Sequence, residues 1–225
     1  MAYVIAIAQQ KGGAGKSTVA ANLAAGLAGS GLAGSGLAGF GLAGSGLSVA
    51  LLDTDPQASL SRWAALRAGR EGAAAITFEA PSGWRLGGAL DRLKRSHDVV
   101  LVDTAPHADT DSRVAIRAAD LVLIPMQPAG PDLWASEATL KLAQAERCPA
   151  RILLNRVPAT GKLKDVIIAE LATRQLLTLG PGLGNRSAYA TSFMLGLGVT
   201  ESAPRSAAAE EIAATLLALR ALMKG

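Results

Sequence analysis

The 225-residue sequence predicts an α/β fold, a mainly parallel twisted sheet flanked by helices. Three observations lead there. Six short apolar runs recur along the chain, and most are continuous rather than alternating, as in strands covered on both faces. Longer stretches with helical patterning separate them, which is the rhythm of βαβ units. Half of the residues are apolar and 18% are charged, a globular composition in a chain long enough for one domain with a sizeable core.

The strand candidates are residues 4–8, 48–52, 76–78, 99–102, 121–124 and 151–154. Helical stretches are expected at 16–27, 58–68, 86–95, 111–118, 132–146 and 163–177, with a last helix at 207–223. In such a fold ligands lie beyond the carboxyl ends of the strands. Only three Phe, two Tyr and three Trp occur, so the core must rest on Ala, Val, Leu and Ile. The net charge of +4 permits an anionic partner without arguing for one. Cys148 is the single cysteine, which excludes an internal disulfide and any all-cysteine metal site from one chain. A reduced, cytoplasmic setting is the expectation. No basic segment precedes the first apolar run, which argues against a signal peptide.

One tract breaks the rhythm. Residues 26–45 are four near-copies of the pentad GLAGS, in an uncharged stretch from Val19 to Leu52. A membrane span is rejected. Leucines five residues apart fall about 140° apart on a helix, so no apolar stripe forms. The two glycines of each pentad cost about 1 kcal/mol apiece in a helix, and an odd period sends successive leucines to opposite faces of a strand. The tract is expected to be a flexible loop, at about 26–46, within a single domain of 1–225. Lengthening a loop several-fold costs only about 1–1.5 kcal/mol in closure entropy.

The chemistry concentrates after the first strand. Gln9-Gln10-Lys11-Gly12-Gly13-Ala14-Gly15-Lys16-Ser17-Thr18 lies between a strand and a helix. Glycines let main-chain amides converge on phosphate oxygens, and a helix N-terminus adds partial positive charge. Lys16 is placed against the β- and γ-phosphates and Ser17 in a Mg²⁺ shell. The common pattern G-x-x-x-x-G-K-[ST] fails at its first position, Gln10. Two further strands end in acid: Asp53-Thr54-Asp55-Pro56-Gln57 and Asp103-Thr104-Ala105-Pro106. An aspartate there suits the water shell of a magnesium ion, although a single one is as often a turn or cap residue.

The second lysine of Lys11-Gly-Gly-Ala-Gly-Lys16-Ser17 resembles the deviant Walker A motif of the ParA/MinD P-loop ATPases. Gln10 then fits the pattern. Asp53–Gln57 resembles the Walker A′ or switch I motif of that family, and Asp103–Pro106 its Walker B and switch II. Leu153-Leu-Asn-Arg156 is similar to its adenine-contacting segment, and residues 185–201 look like the C-terminal region of small ParA-type partition proteins. The resemblance implies ATP and Mg²⁺ as ligands. It places Gly12, Gly13, Ala14, Gly15, Lys16, Ser17 and Thr18 around the phosphates, and it has Lys11 reach across a homodimer that sandwiches ATP. Asp55 then positions the attacking water, Asp53 and Asp103 hold the metal's water shell with Ser17, and Asn155 reads the base.

The resemblance further implies a slow ATPase whose ATP-bound dimer binds nonspecific DNA and is released when a ParB-like adaptor stimulates hydrolysis. The setting would be cytoplasmic and nucleoid-associated. Arg151, Arg156, Lys162, Lys164, Arg174, Arg186, Arg205, Arg220 and Lys224 are the basic candidates for phosphate contacts. No helix-turn-helix precedes the core, which argues against site-specific DNA binding. The alternative is a MinD-like membrane-associated ATPase with a C-terminal amphipathic helix. Against it, residues 207–223 carry Glu210 and Glu211 at their start and only Arg220 near their end, where a membrane-surface helix wants a strongly basic face. A cluster-carrying relative would need two cysteines per subunit. A small-molecule ligase would need a second substrate pocket, and none is legible. His97 and His107 are isolated and read as surface or turn residues. Deleting three of the four pentads is expected to leave ATP affinity unchanged within about twofold, measured by fluorescent-nucleotide titration; lost binding would make the tract functional.

Overall fold

The structure is a computed structural model, and it describes residues 1–29, 46–106 and 110–224. The pentads within residues 30–45 and His107 lie outside the described residues. Among the described residues six strands form one parallel sheet: β1 (Tyr3–Ile7), β2 (Val49–Asp53), β3 (Thr77–Glu79), β4 (Val99–Asp103), β5 (Leu121–Met126) and β6 (Ala150–Leu154). Their order is β3-β2-β4-β1-β5-β6, so the strand that leads into the glycine loop is central. The expected α/β architecture is present.

Alternation along each strand sorts two cores. Ile5, Ile7, Leu51, Val99, Leu101, Leu121 and Leu123 pack on one face against α1 (Lys16–Ala28), α2 (Ser59–Arg67), α7 (Ser187–Met194), α8 (Val199–Ser202) and α9 (Ala207–Met223). Val4, Ala6, Ala50, Leu52, Val100, Val102, Val122 and Ile124 pack on the other against α3 (Arg85–Ser96), α4 (Thr110–Ala118), α5 (Gly130–Ala145) and α6 (Leu163–Thr173). Every residue of β2, β4 and β5 is buried, which is why these strands read as unbroken apolar runs.

Three expectations are corrected. Helix α1 runs on to Ala28 and takes the first residues of the pentad tract. Gly26 is one of them: a Cβ there would stand 2.6 Å from Leu216 Cδ1, so the missing side chain lets α9 pack closely on α1. At the base of the tract, the Leu47 amide donates to the Leu27 carbonyl at 3.0 Å, holding the flanks together. Second, α6 stops at Thr173 rather than near 177, because Gln175 turns the chain with φ 56°. The apolar residues beyond extend the sheet edge: Ile152 N–H donates to the Leu177 carbonyl and Leu179 N–H to that of Ile152. Third, α7 and α8 lie where no helix was expected. The last helix starts where it was expected, with the Ser206 hydroxyl accepting from Ala209 N–H. Its buried stripe of Ala208, Ala209, Ile212, Ala213, Leu216 and Leu219 is spent in the core. Among the described residues no helix is long and apolar enough to cross a membrane.

The short α8 is fixed by charge. Glu201 makes two bonds to the Arg67 guanidinium, at 2.6 and 2.8 Å, and accepts Gly198 and Ala74 amides. Both side chains are buried, and Arg67 also lies 5.1 Å above the Trp63 ring. Removing one member of a buried pair strands the other. Glu201→Ala is therefore expected to cost about 3–5 kcal/mol, measured by urea unfolding; a loss below about 1 kcal/mol would mean the pair contributes little.

Candidate functional site

The site begins where β1 ends. Gln9 is buried, and its Nε2 donates to Ser136 Oγ at 2.8 Å, fastening the loop entrance to α5. The loop then turns through Gly13 (φ 79°) and Gly15 (φ 91°), backbone that only glycine adopts without strain. Gly15 is doubly constrained, since a Cβ there would overlap the Asn155 amide. Helix α1 starts at Lys16 with no side-chain cap and no acid in its first turn. A helix start left this way presents unpaired amides and partial positive charge to whatever faces it. An anion fits there.

The charged groups behind the loop are unusual. Lys16 is buried, with Nζ 3.2 Å from the Gln9 carbonyl, and burial lowers its pKa while Asp103 and Asp55 pull it back up. Asp103 is fully buried; among the described residues neither carboxylate oxygen has a partner in good hydrogen-bond geometry, although the Ser17 hydroxyl lies close enough to lower its pKa. Burial pushes its pKa to about 7; the nearby Ser17 hydroxyl and Lys16 lower it, and Asp53 raises it. Buried unpaired carboxylate oxygens are costly and want a cation or a proton. With Ser17 beside them they suit a hard divalent ion.

Asp53 stands next to Asp103 in the β2–β4 register, with both of its carboxylate oxygens engaged. One oxygen accepts the Asp55 amide at 3.1 Å, the other Ser61 N–H and Oγ at 2.8 and 2.7 Å. Asp53 therefore shapes the turn into α2, whereas Asp103 has the Ser17 hydroxyl and Lys16 near it. The threonines of the two Asp-Thr pairs lace the strand ends together: Thr54 donates through N–H and Oγ1 to the Asp103 carbonyl, and Thr104 likewise to that of Ile7. The sequence reading assigned no role to either.

Two clefts meet at Gly15, Thr18 and Arg156. One, of about 340 Å³, is lined by Gly12, Gly13, Lys16, Ser17, Asp55 and Gln57 and suits phosphates. The other, of about 430 Å³, is lined by Asn155, Asn185, Arg186, Ser187 and Tyr189 and suits a base and sugar. Ala14 is buried behind the loop, its carbonyl accepting Asn155 Nδ2 at 2.8 Å, while Asn155 Oδ1 accepts Arg156 N–H. Asn155 thus ties β6 to the loop, and residues 185–189, which sequence reasoning left out of the site, form the wall beyond it. Lys11 is turned away from this cleft: its Nζ lies 2.5 Å from Asp132 Oδ2 on α5. Of the basic candidates, Arg174 is paired with Glu170 and Glu137, Arg186 with Glu211, and Arg151 bonds a backbone carbonyl; Lys162, Arg205 and Lys224 are exposed.

The raised Asp103 pKa has a measurable sign. The unfolded chain ionises this carboxyl near pH 4 and the folded chain near 7, so unfolding releases a proton between them and stability falls as pH rises through that window. Asp103→Asn, without nucleotide or metal, is expected to stabilise the fold by a few kcal/mol at pH 8 and hardly at pH 4. Denaturant unfolding at both pH values checks this; an equal effect at both would contradict it.

Comparison with known proteins agrees with this geometry. The family described as ATPase MipZ matches residues 3–134. The maintenance of carboxysome distribution protein A of Gloeobacter kilaueensis is 35% identical over 178 residues, covering 76% of this chain and 71% of its own. Protein ParA of Rhizobium radiobacter is 30% identical over 205 residues, covering 86% and 83%. The solved Cyanothece McdA(D38A)–ATP complex superposes with a TM-score of 0.76 over 99% of this chain and 96% of that one, at 16% identity, which establishes the shared fold. With the glycine loop, its two lysines and the paired acidic strand ends in place, the chain belongs to the ParA/MinD family of deviant Walker A P-loop ATPases.

Proposed function

We propose that this chain hydrolyses ATP and uses the ATP-bound form, a dimer with nucleotide sandwiched between subunits, to position a cargo along nonspecific DNA. One observation carries the nucleotide chemistry: an uncapped, acid-free helix start beside a buried lysine and a fully buried aspartate with the Ser17 hydroxyl near it. The amides of Gly12 to Thr18 wrap the phosphates, and Lys16 neutralises charge on the β- and γ-groups. Ser17 and Asp103 hold Mg²⁺, which supplies charge neutralisation at the transferred phosphoryl group when bound. Asp55, in the same cleft and half-buried, orients the attacking water. Asp53 supports this by setting the turn that carries Asp55. Asn155 holds the loop at the junction of the two clefts, so that the purine lies against it and residues 185–189.

Cargo positioning is supported by relatives named for carboxysome distribution and for ParA. A family of this kind works by population shift: ATP must favour a state that binds the DNA track, and a ParB-like adaptor must hasten its loss. Lys162, Arg205 and Lys224 are exposed cations available for phosphate contacts. The membrane-associated alternative is opposed by the burial of the apolar stripe of α9.

The test compares DNA retention with ADP and with a slowly hydrolysed ATP analogue, and repeats it with anionic vesicles in place of DNA. DNA affinity at least about tenfold higher with the analogue is expected, falling steeply with salt. Equal affinity in both states would remove the switch, and ATP-dependent sedimentation with vesicles alone would favour the membrane reading. Lys16→Ala is expected to weaken ATP binding by about 100-fold or more; normal binding would overturn the site assignment.

A further inference from the structure

The wall of the base-and-sugar cleft takes its shape from a helix that does not line it. Residues 183–187, 189 and 190 pass along that cleft. One set of bonds ties them to the exit of β6: Leu183 N–H donates to the Leu154 carbonyl at 2.8 Å and Asn185 N–H to that of Val157 at 2.9 Å. A second set comes from Glu211 of α9. Its Oε1 accepts Nε and Nη2 of Arg186 at 2.8 and 2.7 Å, and its Oε2 accepts Gly184 N–H and Tyr189 O–H, both at 2.9 Å. Three wall residues thus converge on one carboxylate. Hydrogen bonds to an ionised acceptor are roughly twice as strong as neutral ones, and this side chain is 17% exposed, so water competes weakly for it. Burial and the adjacent carboxylate push the Tyr189 phenol up, so it remains a donor. Gly184 is fitted to the same clasp, since a Cβ there would stand 3.0 Å from both Glu211 Oε1 and Arg186 Nε. Glu210, in the first turn of α9, is exposed and suits the positive end of its helix. Glu211 is the neighbour that reaches the wall.

We infer that Glu211 is a positioning residue for nucleotide binding, holding the wall of the base cleft in its receiving shape and so setting the preference for a nucleotide over bare triphosphate. The inference rests on the proposed division of the site into a phosphate cleft and a base cleft. A wall fixed in advance loses little freedom when a base and sugar lie against it, whereas a loose one must be ordered at the moment of binding, which weakens affinity. The phosphate loop needs no such help from α9, because its shape comes from Gly13, Gly15 and the Gln9 and Asn155 bonds. Glu211 therefore acts on one half of the ligand. Its removal strands the Gly184 amide and the Arg186 guanidinium together, and Tyr189 keeps only the Ala208 carbonyl, at 3.2 Å.

The experiment uses the full chain with Mg²⁺ and two probes that share their phosphates and differ in the base: a slowly hydrolysed ATP analogue and inorganic tripolyphosphate. Dissociation constants are read by calorimetry, and KM and kcat for ATP by phosphate release. Glu211→Gln keeps the side-chain length and one acceptor oxygen but turns an amide toward Arg186. It is expected to weaken the analogue by about tenfold while tripolyphosphate stays within about twofold, and to raise KM with little change in kcat. Gly184→Ala crowds the clasp without altering its charges, and should shift the analogue in the same direction and spare tripolyphosphate. Equal weakening of both probes, or analogue binding unchanged in both variants, overturns the positioning role. A loss confined to kcat does so too. If the unsubstituted chain binds the analogue no more tightly than tripolyphosphate, the reading of the base cleft itself fails, and the role of Glu211 with it.

Discussion

The structure turns on an electrostatic imbalance left at the end of its central strand. β1 delivers the chain to a helix whose first turn has neither cap nor acid, and Lys16 and Asp103 are buried beside it. Burying a lysine depresses its pKa, and burying an aspartate raises its own, here to about 7. Each shift means the site holds charge poorly when alone. An anion at the helix start and a cation at the aspartate relieve both together, which is why a magnesium-nucleotide suits this place better than either ion would.

Much of the fold keeps that imbalance in position. Three neighbouring strands end at the site, and Thr54 and Thr104 bond them in sequence, β2 to β4 and β4 to β1. Gly15 lets Asn155 come close enough to bind the Ala14 carbonyl, so β6 is tied to the loop as well. Asp53 fixes the start of α2 through Ser61, and α2 is held to the C-terminal part of the chain by Arg67 and Glu201. Arg67 also donates to the Gly196 carbonyl, so α2 and the segment before α8 are bonded together.

The sheet was legible because its strands are covered on both faces and hence read as continuous Val, Leu and Ile. The glycine loop was legible because phosphate chemistry demands glycine at fixed intervals. Other parts were hidden for physical reasons. Leu176 and Leu177 continue the apolar pattern of α6, yet the left-handed Gln175 turns them onto the edge of β6. Helices α7 and α8 span eight and four residues, too few for a period to declare itself. Asp53 and Asp103 sit in matching Asp-Thr pairs, and only folding reveals that Ser61 occupies the first while the second is buried beside Ser17 and Lys16. Asn155 was expected to read the base; that its amide also binds backbone on both sides and ties β6 to the loop no local pattern shows. Asp132 lies 121 positions from the lysine it holds, a distance no local pattern bridges.

Hydrogen exchange of the backbone tests the central claim most directly. With Mg²⁺ and a slowly hydrolysed ATP analogue, peptides spanning residues 9–20 should exchange at least about tenfold more slowly than in the free chain, because bound phosphate occupies their amides. Unchanged exchange across that loop at saturating nucleotide, or protection confined to some other surface, would contradict it.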